Sequence, residues 1–533
     1  MFAAERLPYS QTNLFSRIII EYLDKNEHIL PFINQFPNKE GFKKLIEQKK
    51  NQKVNREVLV NVLMDQYKQV PLNEKVHANI QLLKKETCFS VTTAHQPNLL
   101  TGPLYFIYKI LHVIKLAESL KKQFSACQFV PVYYMGNEDA DFAELNHFTV
   151  HGKEYAWNTD QKGAVGRMII DKKLITLIDE LEQQISVEPH GAEFIEILRS
   201  CYKIGESIQL ATFRIVHHLF NKYGLIVLIA DDARLKSQMK KVFEDDLFYQ
   251  KPSEIVEASC KKLAEHYNVQ ANPREINLFY LKDNSRERIE KENDEFKVLN
   301  TDIRFTVNEL KEELDKHPER FSPNVILRGL FQESILPNIS FIGGSGELAY
   351  WLQLKDLFQH YSVVFPVLIL RNSFVVVDAK WQARMKRLGL TVTDLFMTEA
   401  QIMRKIVQKF SDKPVSLNGK FEKAELLFEE IRQQAELIDP TLSQHITSIK
   451  TQSIKLLHEL EKKMLRAEKR KFTDQQRQTF KIKHVLFPKN GLQERVENIC
   501  TFYPKWGSRF IDQLHANSLS TEQLFTILID QNS

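Results

Sequence analysis

The stretch from Cys88 to Met135 limits the fold more than any other part of the chain. Residues 87–93 are β-prone, carrying Phe89, Val91, Thr92 and Thr93. A polar turn follows: Ala94-His95-Gln96-Pro97-Asn98-Leu99-Leu100-Thr101-Gly102-Pro103. Residues 104–120 then place Leu104, Ile107, Tyr108, Leu111 and Ile114 almost all round one helix, so that helix must be buried. Residues 129–135 form a continuous apolar run, the pattern of a parallel strand covered on both faces. Strand, helix and strand at this spacing make a βαβ unit with a right-handed crossover. The chain is therefore of α/β class, with a parallel sheet at its centre.

In such a sheet, ligands gather outside the carboxyl ends of the strands. The first strand end offers His95, Gln96, Asn98, Thr101 and Gly102, more hydrogen-bonding groups than a connector needs. Free N–H groups at the following helix start favour anions. The same residues also fit a capped turn with Pro at the first helical position. The second strand ends in Gly136-Asn137-Glu138-Asp139-Ala140-Asp141-Phe142, with Asn146-His147 beyond, on the same sheet edge. Asp141 and Glu144 have capping-box spacing, which leaves Asn137, Glu138, Asp139 and His147 without a structural account.

A second strand–turn–helix junction runs from residue 339 to 360 through Gly343-Gly344-Ser345-Gly346-Glu347. Glycines let backbone approach a ligand closely. The turn is neither GxGxxG nor a Walker loop, and a tight turn without a ligand fits it equally. Arg328 lies upstream after Ser322-Pro323-Asn324, and a strand over residues 363–370 ends in Arg371-Asn372.

The rest of the chain reads as follows. The first eighty residues are helical, with periodic apolar positions over 13–26 and 56–67. Residues 148–220 are an excursion of short strands and two helices, 174–186 and 192–220. A strand at 224–230 ends in Asp231-Asp232, followed by helices over 233–247 and 252–267 and a charged hairpin over 279–298. From about Lys380 the pattern changes to long helices. Phe421, Ala424, Phe428, Ile431, Ala435 and Ile438 form one seam, and Leu442, Ile446, Ile449, Leu456, Leu460 and Met464 another. Asp439-Pro440 joins them, with Pro440 at a first helical position, so an antiparallel coiled-coil hairpin is expected. Its seams are suited to pairing with a second copy. The run from Lys462 to Lys483 is basic, as a solvated helix face or a nucleic-acid contact would be. Lys489, Gly491 and Arg495 sit in a Pro/Gly turn that either holds a phosphate or ends the hairpin.

A length of 533 residues implies two or three domains. The five cysteines are scattered, with no CxxC pair and no Cys/His spacing for zinc, so no zinc is expected and each thiol should be a buried apolar group. No segment reads as a signal peptide or a membrane span, so a cytoplasmic protein is expected. A net charge of +5 suits anionic small ligands without demanding nucleic acid.

Taken together, the motifs resemble the bacillithiol biosynthesis family of cysteine ligases. The matching stretches are Gln96 to Tyr105, Gly136 to Phe142 with Asn146-His147, Phe321 to Arg328, Gly343 to Trp351, and Leu486-Phe487-Pro488 with Leu492 to Arg495. They occur in the family's order over nearly the full length. The family usually has Gly-Gln-Gln where this chain has Ala94-His95-Gln96.

The resemblance implies a Rossmann-like parallel-sheet core related to class I aminoacyl-tRNA synthetases, with inserted connecting segments and a long antiparallel helical coiled-coil hairpin. The implied segments are 1–147 and 221–379 for the core, 148–220 for an insertion, 380–484 for a dimerising helical domain and 485–533 for a return to the core. The implied reaction joins the carboxyl of cysteine to the amino group of glucosaminyl malate, in a homodimer with no membrane association. A nucleotide (ATP or ADP), with Mg²⁺, is the implied cofactor; Lys489, Gly491 and Arg495 are its candidate contacts. Glucosaminyl malate brings two carboxylates and one amine. Arg328 or Arg371 would bind the malate, since Arg matches carboxylate geometry. Glu138, Asp139, Asp141 or His147 would take the amine's proton, or an acidic pair would bind Mg²⁺. Substrate contacts are expected from His95, Gln96, Asn98, Thr101, Gly102, Asn137, Gly343, Gly344, Gly346, Glu347 and Tyr350. The competing classes are a tRNA-associated, synthetase-like protein without ligase activity and an inactive scaffold.

Overall fold

A computed structural model describes residues 2–413, 416–417 and 419–531. By contacts the chain divides into two units. One comprises Ala4–Val375 and Leu492–Thr526; the other is built on Val376–Gly491.

The first unit is organised by a five-stranded sheet. Its strands are β1 (Cys88–His95), β2 (Gln128–Met135), β3 (Ile226–Ile229), β4 (Asn338–Gly343) and β5 (Val367–Leu370), in the spatial order β5-β4-β1-β2-β3. All four pairings are parallel, with Thr92 opposite Val132, Met135 opposite Ile229 and Ile342 opposite Ile369. The chain runs outward from β1 to β3 and then returns to the other side of β1 for β4 and β5. This reversal is the topological switch of a doubly wound sheet, and it opens a crevice between the ends of β1 and β4.

Every residue of β1 is buried. Its threonines are satisfied by β4: Thr92 Oγ1 donates to Asn338 Oδ1 at 2.9 Å and Thr93 Oγ1 to the Ile342 carbonyl at 2.7 Å. The helix after the turn, α1 (Tyr105–Gln123), packs on the sheet and buries Phe106, Ile107, Ile110, Leu111 and Ile114. It also buries Lys109, a residue no apolar period announces.

Several local expectations are corrected. Phe2–Pro8 is a strand, because strand state depends on a long-range partner that no local period reveals. The helix expected over 192–220 is two, Gly191–Cys201 and Ile208–Phe220. Gly205 takes a left-handed φ of +85° between them, and Ser207 caps the second. The helix expected over 348–360 is also two, Ser345–Trp351 and Lys355–His360. The hairpin expected over 279–298 is three strands, Leu278–Lys282, Ser285–Glu292 and Glu295–Val298, of a five-stranded antiparallel sheet completed by Arg304–Thr306 and Phe321–Pro323.

The second unit is helical. Its hairpin pairs Lys420–Ile438 with Leu442–Lys469. Pro440 lies in the turn before the second helix, where Asp439 Oδ1 accepts from the Thr441 N–H and hydroxyl at 2.9 and 2.8 Å. Neither hairpin helix contains a buried residue, and Leu426, Leu427, Leu456 and Leu460 are exposed. Part of the basic run is balanced along the helix, Lys471 by Glu468 and Arg477 by Asp474. Among the described residues, no helix is long and apolar enough to cross a membrane. All five cysteines are buried, free thiols.

Candidate active site

A cavity of about 520 Å³ opens at the carboxyl ends of β1, β2, β4 and β5, all within the first unit. From β1 it receives His95 and Gln96. His95 is buried against the rings of Tyr105 and Phe106, 5.4 and 5.2 Å away between centroids. Burial, reinforced by the charges of Lys109, Arg328 and Arg371, holds its pKa well below the usual histidine range. The ring is therefore neutral near pH 7, and its Nε2 has no hydrogen-bond partner among the described residues. Gln96 Nε2 donates to Asp139 Oδ2 at 3.0 Å.

Beyond Gln96 the chain leaves the cavity. Leu100, Thr101 and Gly102 take successive positive φ values of 48°, 74° and 63°. Asn498 Nδ2 holds this turn by donating to the carbonyls of Leu100 and Gly102 at 2.9 and 2.5 Å. Asn98, Thr101 and Gly102, expected to touch substrate, do not line the cavity; they build the turn behind it. A Cβ on Gly102 would meet the Asn98 Cβ at 2.6 Å.

From β2 the cavity receives Gly136, Asn137, Glu138, Asp139 and, one turn on, Glu144. Asn137 Nδ2 donates to Gln209 Oε1 at 2.6 Å. Asp141 caps the helical turn Phe142–Leu145, accepting from the Glu144 N–H at 3.3 Å, and it does not line the cavity. His147 lies outside it as well, opening the strand His147–Val150 beside Asn146. Both were candidate bases; the chain turns away from the cavity before reaching them. Glu144 takes their place at the wall. Burial, with the nearby Asp141 and Asp139, raises its pKa.

From β4 the cavity receives Gly344, Ser345, Gly346, Glu347 and Tyr350. The Gly344 N–H donates to Glu347 Oε2 at 2.8 Å, and Lys109 pairs with the same carboxylate. The turn thus presents a carboxylate at the place a phosphate would need, so it does not fit a phosphate cradle. Gly343 is packed beneath, where a Cβ would come within 2.8 Å of Leu348 and Phe341. Arg328, one turn into the helix Val325–Ile335, donates to the Tyr350 hydroxyl at 2.7 Å. From β5, Arg371 lies over the Tyr105 ring and pairs with the fully buried Glu494 at 2.6 Å.

Two further arginines complete the lining. Arg495 comes from the C-terminal return, and burial followed by Arg371 lowers its pKa. Arg286 comes from the antiparallel sheet, stacked 3.9 Å from Phe279 and donating to Ser322 Oγ at 2.9 Å. Sequence reading missed Lys109, Glu144, Arg286 and Glu494. Lys109 and Arg286 carried one local signal, charge inside an otherwise apolar or strand-like run; Glu144 was read only as half of a capping box and Glu494 only as part of a family motif. Lys489 and Gly491 belong to the helical unit, Lys489 with a φ of +54° in a short turn.

The charges of the cavity sort into two sets. Lys109 is cancelled by Glu347, Arg371 by Glu494 and Glu138 by Lys236. Arg286, Arg328, Arg495, Asp139 and Glu144 form no ion pair among the described residues. Burial raises the pKa of Glu138 despite Lys236. Both acids beside Gly136 are engaged, Asp139 by Gln96 and Glu138 by Lys236, and no cluster of three metal-ligating side chains occurs among the described residues. This pair does not fit a Mg²⁺ site.

Comparison with known proteins then decides the family. The N-terminal Rossmann-like domain of bacillithiol biosynthesis BshC matches residues 2–372, and the BshC C-terminal coiled-coil domain matches residues 374–529. The chain belongs to the BshC family. Relatives in Cytophaga hutchinsonii and Flavobacterium psychrophilum, both named "Putative cysteine ligase BshC", are each 39% identical. The first match covers 94% of both chains, the second 96% of this chain and 97% of the relative. A solved structure titled as an arginyl-tRNA synthetase from Campylobacter jejuni aligns over 85% of this chain and 99% of its own. At 9% identity and a TM-score of 0.20, that likeness carries no argument. Within this BshC member the boundary of the two family domains, near residue 373, falls close to the division between the two units.

Proposed function

We propose that this BshC member is a cysteine ligase that joins the carboxyl of cysteine to the amino group of glucosaminyl malate. Family membership and the printed names of the relatives support the reaction class. The observation that carries the substrate reading is the set of unpaired charges. The cavity leaves three guanidinium groups and two carboxylates without an ion-pair partner among the described residues. Glucosaminyl malate and cysteine together bring three carboxylates and two ammonium groups. Each substrate charge therefore has a counter-charge waiting for it.

The roles follow. Arg286 and Arg328 face the malyl carboxylates, and Arg495 faces the single carboxylate of cysteine. Asp139, oriented by Gln96, and Glu144 hold the ammonium groups. Before it can attack, the acceptor amine must lose a proton. Glu138 receives it, because burial moves that carboxyl toward the working pH, where a base is most effective. The amine lone pair then forms the bond to the cysteine carboxyl carbon as the activated oxygen leaves. A nucleoside triphosphate would supply that activation by taking up the departing carboxyl oxygen. The glycine turn is not its cradle, and the cationic groups of the cavity are matched by the two substrates.

The coiled-coil hairpin is proposed as a homodimer interface. The support is its line of exposed leucines with no buried residue on either helix. A cytoplasmic location fits five free, buried thiols.

Mass spectrometry of purified protein with cysteine and synthetic glucosaminyl malate, with and without ATP and Mg²⁺, tests the reading. The expected product has the summed mass less one water. Absence of product in every arm, from folded protein that binds neither substrate, overturns the assignment.

A further inference from the structure

Lys236 is not part of the cavity lining, yet its side chain is fully buried beside it. It follows β3 on the short helix Ala233–Lys236, whose cap is Asp232. Its ammonium group makes three contacts from three separate segments. It pairs with Glu138, at the end of β2. It donates to Asp231 Oδ1 at 3.1 Å, at the end of β3, and to the Glu319 carbonyl at 2.8 Å. That carbonyl precedes the strand Phe321–Pro323, which leads to Asn324 on the cavity wall. An ammonium group has three donors, and all three are used.

The groups facing Glu138 are Lys236, Asp231, Arg286 and Tyr134. Asp231 is itself paired with Arg167 at 2.7 Å. Without Lys236, two carboxylates would face each other in a buried place, and one would have to take up a proton. Burial alone would raise Asp231; Lys236 and then Arg167 outweigh it and hold that carboxyl below its usual range. Glu138 is the partner left to protonate.

We propose that Lys236 is a positioning residue that keeps Glu138 ionised and aimed into the cavity, so that Glu138 accepts the proton of the acceptor amine. The proton-acceptor half rests on the ligase reading above; the control of the Glu138 charge by Lys236 does not. The tie also predicts opposite effects from its two partners. Removing Lys236 isolates Glu138 beside Asp231. Removing the Asp231 charge gives Glu138 the undivided ammonium group.

The experiment is a carboxylate titration of the full chain by isotope-edited infrared spectroscopy, with Glu138 assigned from the difference against Glu138→Gln. It needs no substrate. In Lys236→Met the Glu138 band should titrate about one to three pH units higher than in the wild type. In Asp231→Asn it should titrate lower, and in the double variant between the two. Once product formation is established, the acidic limb of kcat/KM should move with the band. An unmoved band in folded Lys236→Met, or no downward movement in Asp231→Asn, overturns the proposal. Asp231→Asn keeps the shape of the site and decides the matter alone if Lys236→Met does not fold. A band that moves as expected in an enzyme that makes no product counts against the ligase reading and leaves the role of Lys236 standing.

Discussion

Replacing Arg371 and replacing Arg328 should have different consequences, although both arginines line the same cavity. Arg371 is 3% exposed, and its guanidinium is paired with Glu494, which is fully buried. Arg371→Met leaves that carboxylate buried and uncompensated, a loss of about 3–5 kcal/mol. The unit containing the pair has roughly 400 residues, so its unfolding entropy near the midpoint is about 0.8 kcal/mol/K and Tm should fall by about 4–6 °C. Glu494→Gln keeps an acceptor for the Phe374 N–H, bonded at 3.0 Å, but strands the Arg371 charge. The double variant Arg371→Met/Glu494→Gln leaves no lone charge, so it should be less destabilised than the sum of its parts by at least about 1.5 kcal/mol. Among the described residues Arg328 has only the Tyr350 hydroxyl as a side-chain partner. Arg328→Met should move Tm by no more than about 2 °C, since no buried carboxylate is orphaned. Calorimetric unfolding of the four Arg371/Glu494 combinations and of Arg328→Met reads all of this. An Arg371→Met protein as stable as Arg328→Met, with no coupling in the cycle, would refute the division of the cavity into cancelled and available charges.

Four shorter predictions accompany it. Titration calorimetry with malate should show Arg328→Gln weakened by about 10- to 100-fold, the value of one charge-assisted contact, with Asp141→Asn unchanged. Gly102→Ala combines a positive φ of 63° with a Cβ placed 2.6 Å from Asn98, and its urea midpoint should fall by the equivalent of about 3 kcal/mol. Asp246 is buried, and burial raises its pKa to about 7 even though Asn277 donates to both its oxygens. Its folded pKa lies above the unfolded one, so its stabilising share is complete at low pH and is lost as pH climbs through about 7. Urea unfolding from pH 5 to 8 should therefore show the wild type losing stability relative to Asp246→Asn; a pH-independent difference would contradict this. Finally, Leu426→Glu with Leu427→Glu on the exposed hairpin should convert dimer to monomer in sedimentation velocity without loss of helix content.

The local pattern carried much of the architecture. The βαβ unit from Cys88, the glycine junction at Gly343 and the hairpin seams about Asp439-Pro440 are all written in periods of two or of three to four, which act between near neighbours. The family motifs likewise pointed to the strand ends that meet at the cavity. Strand ends alone did not separate wall from scaffold. Asn98, Thr101, Asp141 and His147 have the right chemistry and stand within a few residues of Gln96 and Asp139, but the chain turns them away.

What the sequence by itself determined is the order of the elements and the edge of the sheet at which polar groups collect, because propensity and periodicity are local. Which of those charges remain free was decided only by the tertiary structure. Glu494 reaches Arg371 from 123 residues away, Lys236 reaches Glu138 from 98 residues away, and Arg286 arrives from a different sheet. Ion pairing depends on distance in space and on burial, and neither is encoded in the spacing along the chain.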